Sequence, residues 1–97
     1  MTSKQRAYLK SLAGKIEPVF HVGKNGVTPE IVKSVDEALE ARELVKGAVL
    51  NNCLDNIQDV SQTIAERTSS EVVHVIGKKI VLFRVSKKKP AIDIDGI

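Results

Sequence analysis

Along this chain the spacing of apolar residues switches repeatedly between the helical and the strand period. Leu9, Leu12, Ala13 and Ile16 fall on one arc with Arg6 and Lys10 opposite, which predicts a helix from a Ser3 cap to about Ala13, with Gly14 as its stop signal. Glu17-Pro18 breaks any continuation, because proline holds its predecessor extended, and Val19 to Val22 reads as a short strand. From Pro29 to about Ala41, Ile31, Val32, Val35, Ala38 and Leu39 recur at helical spacing, with Glu30, Lys33, Asp36, Glu37 and Glu40 facing outward. Glu43 to Leu50 reads as a second strand, in which Gly47 marks a bulge or a close backbone approach. Asp55 and Gln58 stand at capping-box spacing before a helix whose stripe is Ile57, Val60, Ile64 and Ala65 and which runs to about Arg67. Glu71 to Ile76 and Lys79 to Val85 are β-branched runs joined by Gly77-Lys78, the pattern of a hairpin with a two-residue turn. From Pro90 onward no period is sustained, and a mobile tail is expected there.

The element order is α-β-α-β-α-β-β, a single α/β domain over residues 1–89 with a four-stranded mixed sheet, followed by the tail 90–97. Strands linked by helices are expected as parallel neighbours, with the closing hairpin antiparallel. Between the first strand and the second helix lies the stretch Gly23-Lys24-Asn25-Gly26-Val27-Thr28-Pro29. Its two glycines permit positive φ and close backbone approach, and Lys24 and Asn25 offer a cation and an amide. Thr28 can cap the helix and Pro29 suits its first position, so the positive end of the helix dipole points back at the loop. Such a corner suits a phosphate, although two glycines three apart also make an ordinary tight turn.

Composition narrows the classes. Ninety-seven residues with 42% hydrophobic content bury one core and leave no room for a deep catalytic cleft. The aromatics are Tyr8, Phe20 and Phe83, too few for a stacking platform of the RRM kind. No apolar run reaches about 18 residues, and Met1-Thr2-Ser3-Lys4 leads into a basic helix rather than a signal peptide, so the expected location is cytoplasmic, away from membranes. Cys53 stands alone, with no partner for a disulfide or a cysteine zinc site.

The net charge of +3 conceals a strong asymmetry. Residues 1–26 carry Lys4, Arg6, Lys10, Lys15 and Lys24 against Glu17, residues 27–77 carry nine acids against four cations, and residues 78–89 carry Lys78, Lys79, Arg84, Lys87, Lys88 and Lys89 with no acid. If the fold brings the basic ends together, the molecule acquires one cationic and one acidic face, the footprint of a polyanion binder. The competing reading is that these lysines only solvate the surface.

Residues for other chemistry are not arranged to perform it. His21 and His74 sit among valines and read as sheet residues, no His and carboxylate share a helix face at metal-ligand spacing, and Cys53 has no local base. The loop lacks both G-x-x-x-x-G-K-[ST] and G-x-G-x-x-G. No catalytic residue, metal or cofactor is assigned. A G-x-x-G loop with basic surroundings does occur in KH domains, where it clamps a single-stranded backbone, but there it joins two helices rather than following a strand.

Lys4-Gln5-Arg6 through Leu12-Ala13, Pro18-Val19-Phe20-His21-Val22-Gly23-Lys24-Asn25-Gly26-Val27, Glu37-Ala38-Leu39, Glu43-Leu44-Val45-Lys46 and Val75-Ile76-Gly77-Lys78 together resemble the single-domain bacterial proteins of the CRM class (chloroplast RNA splicing and ribosome maturation), the YhbY family. The resemblance covers residues 3 to about 86. It implies a fold similar to the C-terminal domain of bacterial initiation factor three, and RNA binding in precursors of the large ribosomal subunit. It also implies an RNA-contacting loop at Gly23, Lys24, Asn25 and Gly26 beside a basic surface containing Lys4, Arg6 and Lys10. Charge alone adds Lys78, Lys87, Lys88 and Lys89.

Two functional readings follow. In the first, a non-catalytic, monomeric protein binds ribosomal RNA, its cations on phosphates and its loop on backbone or base edges. In the second, the acidic helix bearing Glu30, Asp36, Glu37 and Glu40 docks on a basic ribosomal protein.

Overall fold

The structure is a computed structural model that describes residues 1–97. Its elements are α1 (Ser3–Ala13), β1 (Pro18–Val22), α2 (Pro29–Arg42), β2 (Leu44–Val49), α3 (Ile57–Thr68), β3 (Glu71–Ile76) and β4 (Lys79–Phe83). The four strands form one sheet in the order β1-β2-β4-β3, with β1 and β2 parallel and the other pairs antiparallel. The mixed α/β domain therefore stands as expected, with one correction: β3 is not the neighbour of β2. β4 lies between them, because a central strand must be apolar on both faces. Ile80, Val81, Leu82 and Phe83 are all buried, whereas β3 alternates and carries Glu71 and His74, which suits an edge.

Each helix start is fixed by a local side chain. Thr2, rather than Ser3, caps α1: its hydroxyl accepts the Gln5 amide at 3.1 Å while the Gln5 side chain accepts the Thr2 amide at 2.8 Å. Asn56, rather than Asp55, caps α3 by accepting the Gln58 amide at 2.8 Å. Both caps are displaced by one residue from the expected position, since Ser, Thr, Asp and Asn compete for such sites with similar strength.

The sheet separates two cores. On one face, Phe20, Val22, Val45, Val49, Ile80 and Leu82 meet Val35 and Leu39 of α2 and Val60 and Ile64 of α3. On the other, Leu9 and Ala13 of α1 cover Leu44, Val73, Val81 and Phe83. Gly47 is the close approach that the sequence suggests: it pairs with Phe20 across the β1/β2 ladder, and a Cβ there would overlap the Phe20 ring.

The segment after β4 departs most from expectation. Instead of a free tail, Ile92 and Ile94 pack against the core under α1, and the Gln5 side chain donates to the Ile94 carbonyl at 2.9 Å. Their alternation with Asp93 and Asp95 gives a strand-like period too short to register as one. The anchor is Glu43, 1% exposed and held at φ 66°, in the left-handed region that non-glycine residues seldom occupy. Its carboxylate accepts amides from Ser86 (2.7 Å), Ala91 (2.7 Å) and Ile92 (2.6 Å). Burial alone would raise the Glu43 pKa, but these three donors outweigh it and hold the group below its ordinary value. Glu40 alongside accepts from the Ser86 hydroxyl and the amides of Lys87 and Lys88, which lower its pKa to about 2.

Both folded-state pKa values lie below the ordinary carboxylate value of 4.5, so their contribution to stability is complete above that pH and fades as pH falls through the folded values, toward about 2 for Glu40. Glu43→Gln keeps the shape but leaves one acceptor oxygen for three donors, one of them fully buried. It should destabilise the fold by about 2–4 kcal/mol at pH 7, a fall in melting temperature on the order of 10 °C or more, and should show a shallower loss of stability between pH 4.5 and 2 than the native chain. Thermal melts at stepped pH, followed by circular dichroism, measure both effects.

Candidate nucleic-acid interface

Three connections meet at one end of the sheet: the loop after β1, the segment 50–56 after β2, and the β3–β4 turn. The Leu50 amide donates to the Val22 carbonyl and the Val49 amide to the Lys78 carbonyl, each at 2.8 Å, while the Lys78 ammonium donates to the Asn51 side chain. Within the first loop the Gly26 amide donates to the Gly23 carbonyl at 3.0 Å, closing a four-residue turn with Lys24 and Asn25 exposed at its tip. Thr28 caps α2 behind it by accepting the Ile31 amide at 3.2 Å, with Pro29 in the first turn, as the sequence implies.

The expected positive φ is found at Gly26, and the close approach at both glycines is made by side chains. Gly26 has φ 66°, and a Cβ there would stand 2.6 Å from the Asp55 carboxylate; one on Gly23, whose φ is not positive, would stand 3.4 Å from the Asn52 side chain. The room left by the missing Cβ atoms is thus filled by the protein's own 50–56 segment. The tip residues Lys24 and Asn25 face solvent, and their backbone amides make no bond within the protein.

On the α1 side of the sheet, α1 covers only the half remote from this loop, over Leu44, Val81 and Phe83. The nearer half is open. The rung there reads His21–Ala48–Lys79–Ile76, and the next, Pro18–Lys46–Val81–His74, passes under the edge of α1, where Val81 is buried. His21 and Lys79 are exposed, and Ala48 between them is small and buried beneath its neighbours. Lys10 lies at the border beside His74, whose pKa is pushed below its ordinary value by burial and, secondarily, by the Lys10 charge. Lys10, Lys24, Lys46, Lys78 and Lys79 thus surround a half-sheet whose two rungs contain no acid. Leu50, Leu54 and Ile76 add exposed apolar side chains at the same end.

The opposite flank of the loop has the reverse polarity. A groove there, between the loop and α3, is lined by Asn25, Gly26, Asp55 and Asp59, with Arg67 as its one cation. An anionic chain that touches Lys24 is therefore steered toward the open half-sheet rather than toward α3.

Of the residues singled out from sequence, the structure groups Gly23, Lys24, Asn25, Gly26, Lys78 and Lys10. It does not group the rest with them. Arg6 is engaged in the fold: its Nη1 donates to the carbonyls of Val72 (2.7 Å) and Val73 (2.8 Å), at the bulge on edge strand β3. Lys4 is exposed in the first turn of α1, adjoining the Gln5 tie to the tail. Lys87, Lys88 and Lys89 follow the Glu40 and Ser86 anchors at the C-terminal end of α2, a helix length or roughly 20 Å from the glycine loop. Lys46, His21 and His74 are members that linear charge reading missed, and Lys79, counted in the basic run 78–89, was not singled out within it. The available signal was strand alternation, which places Lys46, Ala48 and Lys79 on one face.

The acids of the second helix are likewise partly committed within the fold. Asp36 binds Arg84 at 2.6 Å, Glu40 lies 3.8 Å from the same guanidinium, and Glu43 is buried, leaving Glu30 and Glu37 as its free acids.

Comparison with known proteins gives one family. The CRS1 / YhbY (CRM) domain matches residues 1–84. The chain is 42% identical over 94 residues to the probable RNA-binding protein YqeI of Bacillus subtilis, covering 97% of this chain and 98% of that one. It is 32% identical over 88 residues to an RNA-binding protein of Haemophilus influenzae, covering 91% and 89%. The solution structure of a Staphylococcus aureus protein, 44% identical, superposes with a TM-score of 0.80 over 96% of this chain and 97% of that one.

The two loop glycines should respond differently to alanine. Gly26→Ala forces a Cβ into the left-handed region and onto Asp55, and is expected to cost about 1–2 kcal/mol, or roughly 4–16 °C in melting temperature. Gly23→Ala meets only an ordinary contact with a movable side chain and should cost less than half as much, as read from paired thermal melts.

Proposed function

We propose a function from one premise: the chain belongs to the CRS1 / YhbY (CRM) domain family. It is an RNA-binding protein, as two of its relatives are named. Its RNA is ribosomal, in precursors of the large subunit, and it acts by binding rather than by catalysis. The observation that carries this reading is the acid-free half-sheet bounded by Lys10, Lys24, Lys46, Lys78 and Lys79, set against an acidic groove on the other flank of the same loop.

In this reading the lysines hold phosphates and fix the register of the RNA. The tip amides of Lys24 and Asn25 and the Asn25 side chain contact backbone or a base edge, and Leu54 and Ile76 meet exposed bases. Phosphate contacts carry no sequence information, so discrimination among RNAs rests on shape and on unpaired bases. Docking through the acidic helix is the weaker reading, because Asp36, Glu40 and Glu43 already serve Arg84 and the C-terminal segment.

With about four or five phosphate contacts at roughly −0.7 each, log affinity should fall with log salt at a slope near −3, a loss on the order of 50- to 130-fold between 50 and 200 mM. Lys24→Ala with Lys79→Ala should flatten that slope by about 1.4, while alanine at Lys87, Lys88 and Lys89 together should leave it nearly unchanged. The measurement is a salt titration on large-subunit ribosomal RNA fragments, beside structured RNA of equal length and unrelated origin. Equal affinity for the two RNAs would contradict the ribosomal assignment, and a slope carried by the terminal lysines would contradict the interface.

A further inference from the structure

Beyond the half-sheet, a groove of about 520 Å³ opens between the C-terminal half of α1 and the start of β1 and β2. Leu12, Ile16 and Val19 line it together with the anchored segment Ala91 to Asp93. Tyr8 stands at its mouth, 39% exposed, whereas Phe20 and Phe83 are each 5% exposed in the cores. The Tyr8 carbonyl accepts from the Ser11 hydroxyl, but its phenolic hydroxyl makes no bond within the protein. Lys15, Arg42 and Lys46 line the rim, and none is in an ion pair, since the ion pairs of the chain belong to Arg84. Glu17 and Asp93 also line it, so the rim is cationic by one charge.

We propose that this groove holds one nucleotide of the bound RNA, turned out of its strand, with its base against Tyr8 and its phosphate on Lys15 and Lys46. The inference rests on the RNA-binding reading and adds a base-recognition site to it. The size suits one small planar group and its sugar rather than a helix or a folded partner. A half-exposed aromatic ring beside unpaired cations matches the two demands of a nucleotide, a π-face for the base and positive charge for the phosphate. Glu17 and Asp93 leave charge for one phosphate and can accept hydrogen bonds from base amino groups.

The groove is also continuous with the half-sheet. β1 bulges between Pro18 and Phe20, so Val19 is the extra residue in that strand, and it lines the groove. His21 follows on the exposed side, and then comes the glycine loop. From Val19 to Gly23 is four residues, about 13 Å, or no more than ~4 nucleotides of strand at the duplex spacing of about 3.4 Å. Lys46 is shared by groove and half-sheet, which makes the two parts one track.

Tyr8 is the only tyrosine and the chain has no tryptophan, so its fluorescence reports on this site alone. The experiment uses the full chain with adenylate and uridylate decamers, an abasic ribose-phosphate decamer, and uridine monophosphate. The base-bearing decamers should quench Tyr8 emission, and the abasic decamer should leave it unchanged. Tyr8→Ala should weaken decamer binding about 5- to 100-fold at an unchanged salt slope, and Tyr8→Phe should bind within about threefold of the native chain. Unquenched emission with native affinity in Tyr8→Ala, while Lys24→Ala binds more weakly, overturns the groove and leaves the RNA reading standing. Native protein that binds neither the decamers nor large-subunit ribosomal RNA overturns both. A flattened salt slope in Tyr8→Ala overturns the base contact, and monophosphate that quenches at the same concentration as the decamers makes the occupant a free nucleotide.

Discussion

One buried carboxylate organises this molecule. Glu43 sits in a left-handed turn between α2 and β2, where its backbone amide ends the helix on the Leu39 carbonyl and its carbonyl receives the Arg84 amide after β4. Its side chain then gathers Ser86, Ala91 and Ile92. A buried charge is tolerable only because donors surround it, and loss of the carboxylate would leave the buried Ser86 amide without its acceptor. From this node the chain direction, the end of the sheet and the path of the last residues are all set.

Its consequences reach the cationic half-sheet. Because Glu43 and Glu40 hold the C-terminal segment against α2, Lys87 to Lys89 stay at the far end of the molecule and their charge is partly offset by the acids beneath them. The same anchoring carries Ile92 and Ile94 under α1. Leu9, fully buried, fixes α1 over the remote half of the sheet, a burial worth about 1.5–3 kcal/mol. The near half is left uncovered, with lysines on its rungs and acids turned to the other side of the glycine loop. Cationic and acidic surfaces are thus separated by packing, although they alternate along the chain.

Much of this was legible in the residues. The helical stripes, the Gly77-Lys78 hairpin, the Thr28-Pro29 helix start and the approach at Gly47 follow from period and turn chemistry, and the combined motifs carried the family. What eluded the sequence depended on contacts between distant residues. The insertion of β4 beside β2 is decided by which strand of a hairpin is apolar on both faces, a subtle difference between two similar runs. Arg6 and Arg84 counted as free cations until the fold gave them carbonyl and carboxylate partners. The lysines at positions 46 and 79 are far apart in sequence and meet only through strand register, and the tail looked free because Glu43, its anchor, lies 48 residues before Ala91.

The central claim is that RNA lies on one face, from the glycine loop across the open half-sheet. Amide shift mapping of isotope-labelled full-length chain, titrated with a large-subunit ribosomal RNA fragment, tests it most directly. The account predicts changes concentrated at His21, Lys24, Asn25, Ala48 and Lys79, with Glu37, Asp59 and Lys88 undisturbed. Changes gathered instead on the outer face of α2 and residues 86–89, with the glycine loop silent, would contradict it.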